Sequence, residues 1–138
     1  MSTIYEWLNS LMALDLEIQD LKISYMLNEK ELSRWKNYKS HDGDLAQQQT
    51  FLVSLEKQAK LEGVNCDLND RIKKLEEERA MIVEAIDKFK GLNNQILKMK
   101  YVDGMTLESI ANELGYSYQY IKNKHSEIKR MISFTHKV

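Results

Sequence analysis

Cysteine, histidine and paired carboxylates are the groups with which a small chain most often does covalent or metal chemistry, and here they are scattered. Cys66 is the one cysteine among 138 residues. It has no partner for an internal disulfide and no base beside it, so a buried, inert thiol in a reducing compartment is expected. His41, His125 and His136 share no ligand-like spacing with Cys66 or with carboxylates. The sequence has no glycine-rich phosphate loop and no Ser/His/Asp arrangement. The expectation is a protein that is not an enzyme and holds no metal or cofactor. What the chain does concentrate is cationic and amide chemistry. From Ser117 to Val138 there are five basic side chains (Lys122, Lys124, Lys129, Arg130, Lys137) against one acid, Glu127, a net of +4. Interleaved with them stand Tyr118, Gln119, Tyr120 and Asn123, side chains that hydrogen-bond or stack. This is chemistry for phosphate and base edges.

The total charge of −1 hides this segment, because residues 1–90 carry 13 basic and 17 acidic side chains. Local charge governs attraction to phosphate over a Debye length of about 8–10 Å, so the acidic remainder does not cancel the basic end.

Such side chains must be held by rigid elements, and the glycines show where elements end. The chain has no proline and five glycines, at 43, 63, 91, 104 and 115, each where an apolar period stops or shifts phase. Strand and turn signals are too few for a β-sandwich or barrel, so the fold class predicted is all-α. The breaks predict helices over about 3–38, 45–62, 66–90, 94–101, 107–113 and 118–134. Since one glycine inside a helix costs only about 1 kcal/mol, 45–90 as a single long helix is the alternative. Two parts result: a helical oligomerisation or partner body over 1–90 and a DNA-binding domain over 91–138. No run of eighteen apolar residues exists, and the N-terminal residues lack the basic start of a signal peptide, so a cytoplasmic protein is expected.

Within the body, positions 4, 7, 11, 14, 18, 21, 25, 28, 32 and 35 read Ile, Trp, Leu, Leu, Ile, Leu, Tyr, Asn, Leu, Trp. This 3-4 alternation is the seam of a coiled coil or long helical hairpin, with Asn28 as its polar position. A second seam runs through Leu68, Ile72, Leu75, Arg79, Ile82, Ile86 and Phe89, interrupted by Arg79. Glu76, Glu77, Glu78, Lys73 and Lys74 read as a solvated face. The first seam looks too long for its shorter neighbours to cover, which predicts a homodimer through 1–90.

In the C-terminal part, Thr106 and Ser117 stand where helix N-caps belong, and Gly115 separates the two helices they open. Short helix, glycine turn and longer helix is the helix-turn-helix layout. Ile110, Ala111 and Leu114 are expected to line the inner face of the first helix, and Ile121, Ile128, Met131 and Ile132 that of the second. His125, between Ile121 and Ile128, is expected as a core histidine. If Ser117 caps the second helix, Tyr118, Gln119, Lys122 and Asn123 fall on its N-terminal outer face.

The phrase LKMKYVDGMTLESIANELGYSYQYIKNKHSEIKRMI, with its core Leu107-x-x-Ile110-Ala111-x-x-Leu114-Gly115-Tyr116-Ser117, resembles region 4 of bacterial sigma factors. It resembles still more closely the C-terminal part of ArpU/RinA-like phage transcriptional regulators. The likeness covers about 94–134. Residues 1–90 share helical character alone with these proteins and show no promoter-melting region, so a complete sigma factor is not expected. The resemblance implies a helix-turn-helix whose base-reading positions are Tyr118, Gln119, Lys122 and Asn123, with Tyr120, Lys124 and Ser126 flanking; Lys129 and Arg130, further along the basic helix, are candidate phosphate contacts. Sigma factors often carry arginine where Tyr118 and Lys122 stand.

The function expected is a sequence-specific, duplex-DNA-binding transcriptional regulator, phage-encoded and acting in the bacterial cytoplasm. One alternative is a coiled-coil adaptor whose sigma-like domain docks on RNA polymerase or another protein. A further alternative is a small terminase subunit, disfavoured because its DNA-binding part is usually N-terminal.

Overall fold

The computed structural model describes the backbone of residues 8–37 and 44–135 and the side chains of residues 8–37 and 49–132. All regular structure among the described residues is helical, as expected. The elements are α1 (Leu11–Lys36), α2 (Asp44–Asp87), α3 (Leu92–Leu97), a π-helical turn (Lys98–Val102), α4 (Leu107–Leu114) and α5 (Tyr118–Thr135). No helix among the described residues is long and apolar enough to cross a membrane. Ile4, Trp7, the break at Gly43, His41, His136 and Lys137 lie outside the described residues.

The break expected at Gly63 does not occur: α2 is continuous over 44 residues. Gly63 is exposed and has no positive φ. Its neighbours Leu61, Asn65 and Leu68 keep a 3-4 rhythm of burial through it. A helical glycine costs about 1 kcal/mol, less than a seam of side chains gains by keeping its phase. The segment expected as one helix over 94–101 also differs. It is α-helical to Leu97 and then widens, the Asp103 N–H reaching back to Lys98 O at 3.0 Å.

The chain divides into two compact units, residues 17–76 and residues 8–16 with 77–135. In the first, α1 and α2 run antiparallel. The first seam is legible here: each of its six positions within this unit, from Ile18 to Trp35, is buried or half-buried. From α2, Ser54, Asn65, Ile72 and Leu75 are the buried residues of this unit. Two of the four are polar, and each has a partner. The Ser54 hydroxyl donates to Trp35 O at 2.9 Å. Asn65 accepts from Asn28 Nδ2 at 2.9 Å and donates to Glu29 Oε1 at 3.0 Å and Tyr25 O at 3.3 Å. A polar layer of this kind fixes register, because a shifted pairing would leave both amides facing hydrocarbon. Ion pairs Lys22–Glu76 (2.8 Å) and Arg71–Glu17 (2.5 Å) flank the seam. Within this unit the seam residues of α1 therefore face α2. Cys66, expected to be buried, is exposed on α2: it follows the seam residue Asn65 and turns outward.

In the second unit the ends of the long helices share a core with the C-terminal helices. Leu8, Leu11, Ile82 and Ile86 join Ile96, Leu97, Tyr101, Ile110, Ala111, Ile121, Ile128 and Ile132. Residues 77–90, grouped by sequence with the body, thus belong to the core that supports α4 and α5. Arg79, at the interruption of the second seam, is half-buried and paired with Asp15. Asn94 Nδ2 donates to Ile86 O at 3.0 Å, which ties α3 to the last turn of α2.

Candidate nucleic-acid interface

The start of α4 is set by Thr106, whose extended backbone (φ −76°, ψ 158°) lets its hydroxyl accept the Ser109 N–H at 3.1 Å. Glu108 in the first turn suits the positive end of the helix dipole. The end is set by Gly115 at φ 78°, ψ 27°, with the N–H groups of Gly115 and Tyr116 both donating to Ala111 O. That left-handed conformation costs about 1–2 kcal/mol for a residue with a Cβ, so glycine fixes where the chain turns. Ser117 opens α5, its hydroxyl accepting the Tyr120 N–H at 3.1 Å.

Packing then decides which side of α5 faces out. Ile121, His125, Ile128 and Ile132 are all buried, spaced at four, three and four residues, so they form one inward line. Ile110 and Ala111 of α4 are buried in the same core, and Leu114 packs against it. Met131, expected on the inner face, is 45% exposed. It lies three residues past Ile128, which turns it to the flank, while Ile132 takes the inward position.

Opposite the buried line stand Gln119, Asn123 and Arg130, all exposed, with half-buried Ser126 between. Gln119 Nε2 donates to Asn123 Oδ1 at 3.1 Å. That bond preorganises two amides one turn apart while leaving donors and an acceptor free to face outward. Tyr118 and Lys122 are exposed on one flank, where Lys129 is half-buried. Tyr120 and Lys124 take the other flank, and half-buried Lys124 reaches Glu127 at 3.9 Å. Helical spacing therefore gathers Gln119, Asn123, Ser126 and Arg130 on one line and divides the remaining five residues between its two sides.

Two features were not legible as parts of this surface. Tyr116, before the helix, stacks on Tyr120 at 5.0 Å between ring centroids, and both are exposed. Their separation by four residues was the available signal, masked by the helix cap between them. Behind α5, Tyr101 Oη lies 2.8 Å from His125 Nε2, both side chains buried. The π turn delivers Tyr101 to that spot. Burial, then the ammonium groups of Lys129 and Lys100, lower the His125 pKa from 6.5 to about 4. The ring is therefore neutral at pH 7, as befits a core histidine.

The chain matches no family model, no curated protein and no solved structure. Amides on an exposed helix face pair with adenine edges, lysine or arginine with guanine or phosphate, and tyrosine with phosphate or a thymine methyl.

Proposed function

We propose that this protein is a duplex-DNA-binding transcriptional regulator that lays α5 in the major groove. The observation that carries the reading is the exposed line Gln119, Asn123 and Arg130 on a helix whose opposite side is fully packed. A short helix and a left-handed glycine precede that helix, the layout by which helix-turn-helix proteins offer the start of a recognition helix to base edges. In this reading Gln119 and Asn123 read bases, and Tyr118 and Lys122 contact the adjoining step. Tyr120, Lys124 and Ser126 flank them, and Lys129 and Arg130 meet phosphate.

The net +4 of residues 117–138 supports the reading, since phosphate attraction supplies most of the sequence-independent affinity of such proteins. The resemblance of 94–134 to ArpU/RinA-like regulators points the same way. On this proposal the protein acts at a promoter in the cytoplasm of a phage-infected bacterium. The test is capture of fragmented bacterial and phage genomic DNA by the full-length protein. One sharply enriched site supports the proposal. Recovery of no duplex above background, at low as well as moderate salt, refutes it and favours docking on RNA polymerase or another protein.

A further inference from the structure

The unit of residues 17–76 exposes apolar side chains that its own seam does not use. On α1, Ile23, Met26 and Leu27 are 46%, 46% and 54% exposed. They fall on the side of the helix opposite the seam residues Ile18, Leu21, Tyr25 and Leu32, so α1 carries two apolar stripes. Three adjoining apolar residues on one helical face form a patch rather than the scattered exposure ordinary for a soluble surface.

Charge states what fits against this patch. Before it stands Asp20, and within its line, after it, stands Lys30; both are exposed. In a parallel pair of such helices, Asp20 meets Asp20 and Lys30 meets Lys30. In an antiparallel pair with a two-fold axis near Tyr25, Asp20 of each copy stands beside Lys30 of the other, and Ile23 meets Met26 and Leu27. A surface self-complementary about one axis is the requirement for an isologous dimer.

We propose that the protein is a homodimer in which α1 pairs antiparallel with α1 of a second copy. The contact runs through Ile23, Met26 and Leu27, with reciprocal Asp20–Lys30 ion pairs. The dimer expected from the seam is thereby moved to the opposite face of the same helix. The inference does not depend on DNA binding and is tested without DNA.

The experiment is sedimentation equilibrium of the full chain and of D20K, K30D and the double variant D20K/K30D. Circular dichroism checks that these exposed substitutions leave the helices intact. Wild type is expected to dimerise in the micromolar range. Each single variant turns two attractions into repulsions and should dimerise about tenfold more weakly. The double variant restores the complement and should return to the wild-type constant. A monomeric wild type, single variants that dimerise like wild type, or a double variant as weak as the singles overturns the proposal.

Discussion

Replacing Asn28 by leucine separates two accounts of α1–α2 pairing, one in which apolar seam residues suffice and one in which a polar layer is part of the fit. Asn65 is 4% exposed and is satisfied by three hydrogen bonds, one of which it accepts from Asn28. Asn28→Leu removes that donor and leaves Asn65 Oδ1 facing hydrocarbon, at a cost of about 1–3 kcal/mol. The added leucine is itself half-buried and returns about 1 kcal/mol. A net loss of about 1–2 kcal/mol is expected. Asn65→Leu costs less, because half-buried Asn28 can turn to water. The double variant Asn28→Leu/Asn65→Leu removes both amides and should lie within about 0.5 kcal/mol of wild type or above it, since replacing both partners by apolar groups is often neutral or stabilising. The coupling between the two sites is then at least about 1 kcal/mol. Urea denaturation of all four proteins measures it, at concentrations where the oligomeric state is the same. Additive losses, or an Asn28→Leu protein as stable as wild type, would refute the reasoning.

Two further outcomes follow from buried or helical positions. The His125 pKa is lowered in the folded state, so its contribution to stability is fully present above about pH 6.5 and is lost as pH falls toward about 4, with a limiting slope near 1.4 kcal/mol per pH unit. Thermal unfolding between pH 7 and pH 4 should show this loss, reduced in His125→Gln; an equal slope in the variant would assign the acid sensitivity elsewhere. Gly63→Ala should stabilise the protein by about 0.5–1 kcal/mol, because Gly63 is helical and a Cβ there meets nothing within 4 Å; chemical denaturation that finds a loss would mean α2 does not run through this position in solution.

The helices and the main seam were legible in the sequence because their spacing is repetitive and burial repeats with it. The polar half of that fit was not. Ser54 and Asn65 occupy seam positions of α2, and a reading that counts apolar residues passes over them. Gly63 leaves one helix or two open in the sequence, and the packing of the turns on either side, larger than the local preference of one residue, decides for one. On α5 the apolar spacing predicts Ile121, Ile128 and Ile132 inward, as found, but does not separate Met131, which lies on the flank. Thr106, Gly115 and Ser117 do what their types suggest, since caps and left-handed turns depend on local chemistry. The π turn at Lys98–Val102 depends on tertiary packing, so the approach of Tyr101 to His125 had no sequence signal.

The central claim is that Gln119 and Asn123, on the exposed line of α5, read DNA sequence. The most direct measurement is a binding titration of wild type, Gln119→Ala, Asn123→Ala and Arg130→Ala on the captured duplex and on a scrambled duplex, at several salt concentrations. Each amide variant should lose about 1–3 kcal/mol on the captured site and little on the scrambled one, relaxing specificity at one base position. Arg130→Ala should weaken both duplexes alike and flatten the salt slope by about one unit. Folded Gln119→Ala and Asn123→Ala proteins that bind both duplexes as wild type does would contradict the account.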